Sequence, residues 1–187
     1  MNKFLISTFA LLMSASSAFA ADFFFKADVP SSPYFVMGMK GEGTKNPICV
    51  ANADWPDGSS IQFIKDLADG EFYIWFQNNQ WNISDPANTK SELRANFIQS
   101  NGRTTGLNFE ILILNKNTIV IPGIMTDKFL PLFAGANKLQ FIMPGSISNA
   151  QVSLVGSTRA LIELSNCVDA SRQVDLRIPS KKPEINL

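Results

Sequence analysis

Hydrophobic and polar residues alternate along most of the chain that follows residue 20. In the first clear run, Phe72, Ile74 and Phe76 occupy every second position. The same spacing recurs in the stretches 93–97, 107–113, 139–143 and 152–154. A period of two is typical of strands that place one face in a core, and the many β-branched and aromatic residues agree with it. The pattern predicts a mainly β protein.

Turn-forming residues separate these runs. Asn101-Gly102 is the strongest hairpin signal, because both residues tolerate a positive φ, and it predicts a hairpin that joins residues 91–100 to residues 103–114. Other turn signals occur at 56–58, 69–70, 78–79, 115–117 and 144–145. Many strands with short connections favour a single antiparallel β-sandwich or barrel-like domain.

Two segments depart from the period of two and predict one or two short helices. Residues 157–168 carry apolar side chains at helical spacing, and Ser157 is available as the N-cap. Residues 126–136 show a weaker helical pattern, and Pro131 predicts that any helix there is short or bent.

The N-terminal segment has the pattern of a signal peptide. Lys3 supplies a positive charge, residues 4–13 form a short apolar run, and Ala18-Phe19-Ala20 is a small-x-small cleavage site. The run is shorter than the ~20 apolar residues of a membrane span, and no longer apolar run follows it. We therefore expect a signal peptide at 1–20, a single β-rich domain at 21–180 and a flexible tail at 181–187.

Charge and composition exclude several classes of function. The chain has a formal net charge of zero, whereas binding to nucleic acid requires a concentrated basic surface. It contains no histidine, which excludes Ser–His and Cys–His nucleophile pairs and histidine-ligated zinc. No cofactor or metal motif occurs, so we expect neither.

The chain has only two cysteines, Cys49 and Cys167. In an exported protein such a pair favours one structural disulfide, which would stabilise the fold by up to about 4 to 5 kcal/mol on the chain-entropy estimate. The alternative is a reactive thiolate, which requires a neighbouring cation or a helix N-terminus to lower its pKa. Neither feature is evident around Cys49, which lies between Ile48 and Val50.

Acidic residues are densest between positions 54 and 71. The cluster comprises Asp54, Asp57, Asp66, Asp69 and Glu71. Two carboxylates can serve a glycan hydrolase, but acidic side chains beside Gly58 and Gly70 are also ordinary turn formers. The spacing matches no known site, which favours the turn interpretation.

Aromatic residues supply the remaining candidate site. If Phe72 and Phe76 face the core, Tyr73 and Trp75 point outward, and we expect Trp81 near them across a hairpin that turns at 78–79. Rigid aromatic side chains often anchor protein contacts. Tyr73, Trp75 and Trp81 are therefore the predicted partner-contact residues; a covering loop is the alternative.

One segment resembles a known family. Residues 152–161 read VSLVGSTRAL and are followed by Leu164 and Cys167, which resembles the closing strand and helix of invasion-associated locus B proteins. The resemblance implies a β-rich periplasmic or surface protein linked to bacterial entry into host cells, without known catalysis. It transfers no functional residue to this chain.

These observations favour an exported, periplasmic or secreted, non-enzymatic binding or accessory protein. Its expected partner is another envelope protein, a secreted toxin or enzyme that it inhibits, or a host surface, with no nucleic acid and no integral membrane segment in the mature chain. The second hypothesis is a carrier of a small apolar or lipid-like ligand held among the phenylalanines, which number 15. The third is the carboxylate-dependent glycan hydrolase.

Overall fold

The computed structural model describes residues 22–40, 47–123, 126–142 and 149–175. The expected signal peptide, the expected tail and the turn signal at 144–145 lie outside the described residues.

The described residues form ten strands and two helices. The strands are β1 Asp22–Asp28, β2 Tyr34–Lys40, β3 Ile48–Asp54, β4 Ser59–Asp66, β5 Phe72–Asn78, β6 Lys90–Ile98, β7 Thr104–Asn115, β8 Thr118–Ile121, β9 Lys138–Ile142 and β10 Ala150–Ser153. The helices are α1 Thr126–Gly135, between β8 and β9, and α2 Ser157–Asp175, after β10.

All ten strands belong to one antiparallel sheet, which confirms the predicted mainly β class. Their order is β1-β2-β3-β4-β5-β8-β7-β6-β9-β10. The sheet is not closed into a barrel, because β1 and β10 each have a neighbour on one side only among the described strands. The first five strands are neighbours in the order in which they occur in the sequence. By contrast, β8 pairs with β5 and β9 pairs with β6, and each of these partners lies about forty residues earlier in the sequence.

The sheet bends sharply around its core. Phe76 of β5 and Phe141 of β9 lie four places apart in the strand order, about 19 Å in a flat sheet. Their ring centroids are only 4.4 Å apart. Phe63 of β4 also contacts Phe133 of α1, with ring centroids at 4.5 Å. The two halves of the sheet therefore face each other, and the core fills the space between them.

The hairpin predicted at Asn101-Gly102 is confirmed. Gly102 has a φ of 81°, and its amide donates to the carbonyl of Gln99 at 2.9 Å. The side chain of Asn101 accepts a hydrogen bond from the amide of Arg103 at 2.9 Å. The turn joins β6 to β7, whose buried faces alternate as the sequence predicts.

Both predicted helices are present. The first is short, at 10 residues, and contains Pro131, as expected. The second begins at Ser157 as predicted but ends at Asp175 rather than at residue 168. Its last turns lack a clear apolar stripe, so periodicity does not reveal them, but they include good helix formers and an Arg172–Asp169 pair at 3.3 Å.

A disulfide attaches α2 to the sheet. Cys49 of β3 and Cys167 of α2 have their sulfur atoms 1.96 Å apart and their Cα atoms 6.0 Å apart. Both side chains are fully buried, and α2 packs against β1, β2 and β3. The predicted pairing therefore joins two elements that already share a core.

Candidate functional site: the outer face of β1 to β5

A second apolar cluster lies on the side of the sheet that faces away from the main core. Ile48, Val50 and Ile64 are buried there, and larger, half-buried side chains pack against them. We call this group the outer cluster; it comprises Met37, Met39, Ile48, Val50, Ile64, Tyr73 and Trp75. The first half of the sheet is thus apolar on both faces.

Strand register aligns the outer cluster into rows. Met37 pairs with Val50, Val50 with Ile64, and Ile64 with Tyr73, so one row crosses β2 to β5. Side chains directly opposite one another on neighbouring strands are close enough to pack. The row presents the thioether of Met37 and the ring of Tyr73 at its two ends, with the buried aliphatic residues between them.

The central strand β3 shows why the sequence analysis missed most of this cluster. Every residue of β3 before Asp54 is buried, on both faces of the sheet. The first four residues of β3 are all apolar and the one polar residue that follows them before Ala53, Asn52, is buried, so the period-two test passes over the strand. The unbroken apolar run from Ile48 to Ala51 was the available signal.

Tyr73 is tied to the acidic turn between β4 and β5. Its hydroxyl donates to Oε2 of Glu71 at 2.7 Å. Burial, this hydrogen bond and the negative charges of Asp69, Glu71 and Asp66 all raise the pKa of the Tyr73 hydroxyl above its ordinary value. The phenol therefore stays protonated and acts as a fixed donor at an electronegative corner of the face.

The structure separates the three aromatic residues that the sequence analysis grouped. Tyr73 and Trp75 lie half-buried on the outer face, as predicted from the inward face of β5. Trp81 was wrongly placed with them: it is 3% exposed and packs in the main core, with its ring centroid 5.1 Å from that of Phe76.

The local reason is the turn that follows β5. Asn78 accepts hydrogen bonds from two backbone amides, through its side chain from Gln80 at 2.8 Å and through its carbonyl from Trp81 at 3.1 Å. The chain therefore turns inward instead of forming the expected hairpin, and the strand beside β5 is β8. Tyr73 and Trp75 therefore remain candidates for contact with a partner, and Trp81 does not.

The β1 edge of the outer face carries charges of both signs, because the exposed Asp28 lies two residues from Lys26 on the same face of the strand. Lys26 pairs in register with Met37, and its Nζ lies 4.2 Å from the centroid of the Phe23 ring. Phe23 is 47% exposed, a large fraction for an aromatic side chain. This corner combines an exposed ring with a cation, at the opposite side of the face from Glu71.

Three of the five acidic residues between positions 54 and 71 cap turns, as the turn interpretation expects. Asp57 accepts from the amide of Ser59 at 2.9 Å, Asp66 from Ala68 at 2.8 Å and Asp69 from Glu71 at 2.7 Å. Asp54 accepts from the side chain of Asn52 at 2.7 Å.

The same residues lie at opposite ends of β4. Asp54 and Asp57 flank its beginning, whereas Asp66, Asp69 and Glu71 flank its end. A strand of eight residues separates these ends by about 24 Å, whereas paired hydrolytic carboxylates lie about 5 to 9.5 Å apart. The two groups therefore do not form one carboxylate pair. Among the described residues, no group of three or more cysteine, aspartate or glutamate side chains is placed to hold a metal ion.

The core phenylalanines pack against one another. Phe129 of α1 lies with its ring centroid 5.5 Å from that of Phe97 and 5.6 Å from that of Phe133. Phe76, Phe97, Phe133 and Phe141 are each at most 1% exposed. In the carrier hypothesis these phenylalanines would line the ligand site, but here they contact other aromatic side chains of the protein.

The outer face of β6, β7 and β9 carries a group of polar side chains. Asn96 of β6 donates to Gln140 of β9 at 3.3 Å, and Arg94 donates to Asn96 at 3.2 Å. Gly106 of β7, opposite Asn96, leaves room for these side chains to lie across the strand. The apolar outer face therefore does not cover the whole sheet, although the buried Val120 of β8 extends it beyond β5.

Comparison with protein-family models, curated proteins and solved structures finds no match to this chain. The resemblance to invasion-associated locus B proteins therefore stays a prediction. Neither helix in the described part of the chain combines the length and apolar character that a membrane span requires.

Proposed function

We propose that this chain is an exported, non-enzymatic binding or accessory protein that contacts a protein partner through the outer face of β2 to β5. The observation that carries the proposal is the outer cluster, a second apolar surface built on the side of the sheet opposite the core. Apolar patches with a polar rim are typical of protein contact sites. Tyr73 and Met37, at the two ends of one row, are its accessible anchors.

Two further observations support export to the periplasm or beyond. The N-terminal pattern is that of a cleavable signal peptide, and the Cys49–Cys167 pair forms a disulfide, which persists in oxidising compartments. The mass of the protein recovered from the exported fraction tests this directly. A chain that starts near Ala21 supports export, and a chain that keeps residues 1–20 in the cytoplasm contradicts it.

Site-specific photo-crosslinking tests the contact face. A benzophenone amino acid replaces Met37, and in a matched variant it replaces Asn108, which is exposed on the polar outer face of β7. Irradiation of cells that export each variant should give a defined covalent adduct at position 37 and none at position 108. Equal adducts at both positions, or adducts at position 108 alone, would contradict the proposal.

A further inference from the structure

Helix α2 runs along β2 and ends beyond the end of that strand. Gly156, which precedes the helix, lies against Ser32 just before β2, and Cys167 lies against Gly38 near the end of β2. From Cys167 to Asp175 the helix rises about 12 Å, whereas β2 extends only about 7 Å beyond Gly38. The chain therefore leaves α2 about 5 Å beyond the end of the sheet.

Strand register brings the acidic turn between β4 and β5 to the same end of the sheet. Met39 pairs with Ile48, and Ile48 pairs with Asp66, so the last residues of β2 and β4 lie level with each other. The backbone amide of Asp66 donates to the carbonyl of Glu71 at 3.0 Å, which closes the turn, and Asp69 lies between them. Three carboxylates therefore stand where α2 ends.

The outer side of this end is anionic. The carboxylate of Glu71 accepts from the hydroxyl of Tyr73 on the outer face, and the negative charges of Asp69, Glu71 and Asp66 all act on that hydroxyl. Lys65 also lies at this end, but its position alternates with those of the outer-face residues of β4, and its Nζ donates to a carbonyl inside the turn.

Two other groups of charges flank this region. Lys40, the last residue of β2, alternates with the outer-face residues Met37 and Met39, so it belongs to the inner side of the sheet. Lys26 and Asp28 share the outer face at the β1 edge, and their opposite signs offset each other. The acidic turn therefore sets the sign of the charge at this end of the outer face.

The residues that follow α2 carry a pattern complementary to this surface. Positions 176–187 read LRIPSKKPEINL, with three basic residues and one acidic residue. Lys181 and Lys182 are adjacent, and Ile185 and Leu187 follow two positions apart. In an extended segment, residues two apart point to the same side. The segment thus presents a basic pair and then an apolar side.

The length of the segment matches the path to the outer face. The way from the helix layer, about 10 Å from the sheet, around the sheet end to its outer side is roughly 15 to 20 Å, or about five or six extended residues. That length brings the two lysines to the acidic turn. Residues 183–187 then extend about 16 Å over the outer face, where Met39 and Met37 lie about 7 Å apart along the strand direction.

We propose that residues 176–187 fold around the end of the sheet and cover the outer face, with the lysine pair at the acidic turn and the apolar side on Met37, Met39 and Tyr73. The inference rests on the proposed function of this face as a protein-contact surface, because the segment occupies the face until a partner displaces it. A docked segment then takes the place of the flexible tail expected at 181–187.

The covalent link makes a small contact sufficient. Val50 and Ile64 are already buried in the sheet, so the segment contacts only the half-buried side chains that surround them. A short linker holds a segment near its site at an effective concentration in the millimolar range, so a weak contact stays largely formed. A foreign partner must compete with the segment at that effective concentration.

Photo-crosslinking in the purified, exported protein identifies the occupant of the face. The benzophenone amino acid at position 37 should join to residues 183–187 on irradiation, and mass spectrometry of the digested protein locates the adduct. At position 108, on the outer face of β7, it should give no such adduct. A mixture of unlabelled and isotope-labelled protein shows whether both joined peptides come from one chain.

Two outcomes of this experiment overturn the inference. Adducts that join a labelled to an unlabelled peptide would assign the face to a second copy of the chain. Irradiation at position 37 without any adduct to residues 183–187 would show that the segment does not lie on the face.

Charge variants test the role of the lysine pair. The double substitution Lys181→Glu and Lys182→Glu should lower the yield of the adduct at position 37 about fivefold or more, because two attractions to the acidic turn become repulsions. Lys138→Glu is the matched control: it changes an exposed charge on β9 and should leave the yield unchanged. Circular dichroism confirms that each variant is folded. An equal yield from the double variant and the native sequence would contradict the proposed position of the lysines.

Deletion of residues 178–187 separates this inference from the proposed function. In cells, the deletion should raise the yield of adducts between position 37 and a foreign protein several-fold, because the face is then open. An unchanged yield would contradict coverage by the segment. A deleted variant that gives no foreign adduct would contradict the proposed function, whereas a foreign adduct without any adduct to residues 183–187 refutes the coverage alone.

Discussion

Gly38 of β2 and Cys167 of α2 occupy adjoining space. Gly38 pairs in register with Cys49, and a Cβ atom at position 38 would lie 2.7 Å from Sγ of Cys167. It would also lie 2.5 Å from the ring of Phe24. The absent side chain is thus what lets the helix approach the sheet closely enough for its cysteine to reach β3.

Gly38→Ala should therefore destabilise the protein by about 1 to 3 kcal/mol, because the added methyl group overpacks the junction between β2 and α2. Urea unfolding measures the change. Gly135→Ala is the matched control: nothing lies within 4 Å of a Cβ at that position, and alanine is the better helix former. Equal stability of the Gly38→Ala variant and the native protein would contradict the close approach.

The disulfide predicts a simple thiol count. Protein denatured without reductant should show no titratable thiol, and reduced protein should show two. Replacement of both Cys49 and Cys167 by alanine should lower the free energy of unfolding by up to about 4 to 5 kcal/mol, since the bond restricts a long loop of the unfolded chain. Two free thiols before reduction would show that the bond does not form.

Trp81 should behave as a core residue. In a variant that keeps Trp81 and replaces Trp55 and Trp75 by phenylalanine, iodide should quench the fluorescence only weakly. Trp81→Ala should cost about 3 to 5 kcal/mol of stability because it opens a cavity beside Phe76. Trp81→Phe should cost less than Trp81→Ala, because it fills more of the space and removes a buried indole N–H that has no acceptor among the described residues. Strong quenching by iodide would show that Trp81 is exposed to solvent, which would contradict its place in the core.

Glu163 of α2 predicts a loss of stability in acid. The hydrogen bond from Asn166 at 2.9 Å lowers the pKa of the Glu163 carboxyl below its ordinary value of 4.5; burial opposes this effect, and the charge of Arg159 at 2.5 Å adds to it. A lowered pKa in the folded state means that the ionised carboxylate stabilises the fold above about pH 4.5, and that this contribution is lost as the pH falls through the folded-state pKa.

Thermal unfolding between about pH 6 and pH 3 checks this expectation. The Glu163→Gln variant should be less stable than the native protein at pH 6, and the difference should shrink toward pH 3. Asp169→Asn is the control, because the Asp169–Arg172 pair is exposed and such pairs contribute about 0 to 1 kcal/mol. A difference that stays constant with pH would exclude a role for the charge of Glu163.

Strands with one polar face could be predicted from the sequence, and strands buried on both faces could not. The alternation in β5 and β7 identifies which side chains face the core, and Asn101-Gly102 locates a hairpin through its need for positive φ. In β3 both faces are covered, so no alternation marks it.

The candidate site was predicted only in part for a related reason. The outward direction of Tyr73 follows from the inward face of β5, but Val50 and Met37 share a row with it only through strand order and register. The prediction for Trp81 was wrong because it assumed a local hairpin after β5. The strand that pairs with β5 there is β8, which lies about forty residues further along the sequence. Pairings that are distant in sequence carry no local signal.

The disulfide also constrains the order in which the protein can be made. Cys49 leaves the ribosome 118 residues before Cys167. Strands β1 to β5 can pair with one another once residue 78 has emerged, but β8, which borders β5, follows about forty residues later, and α2, which packs against β3, follows later still. An open apolar surface and an unpaired thiol therefore accompany the growing chain. The disulfide therefore cannot form before α2 has been made, and until then the thiol of Cys49 is free to react with other thiols.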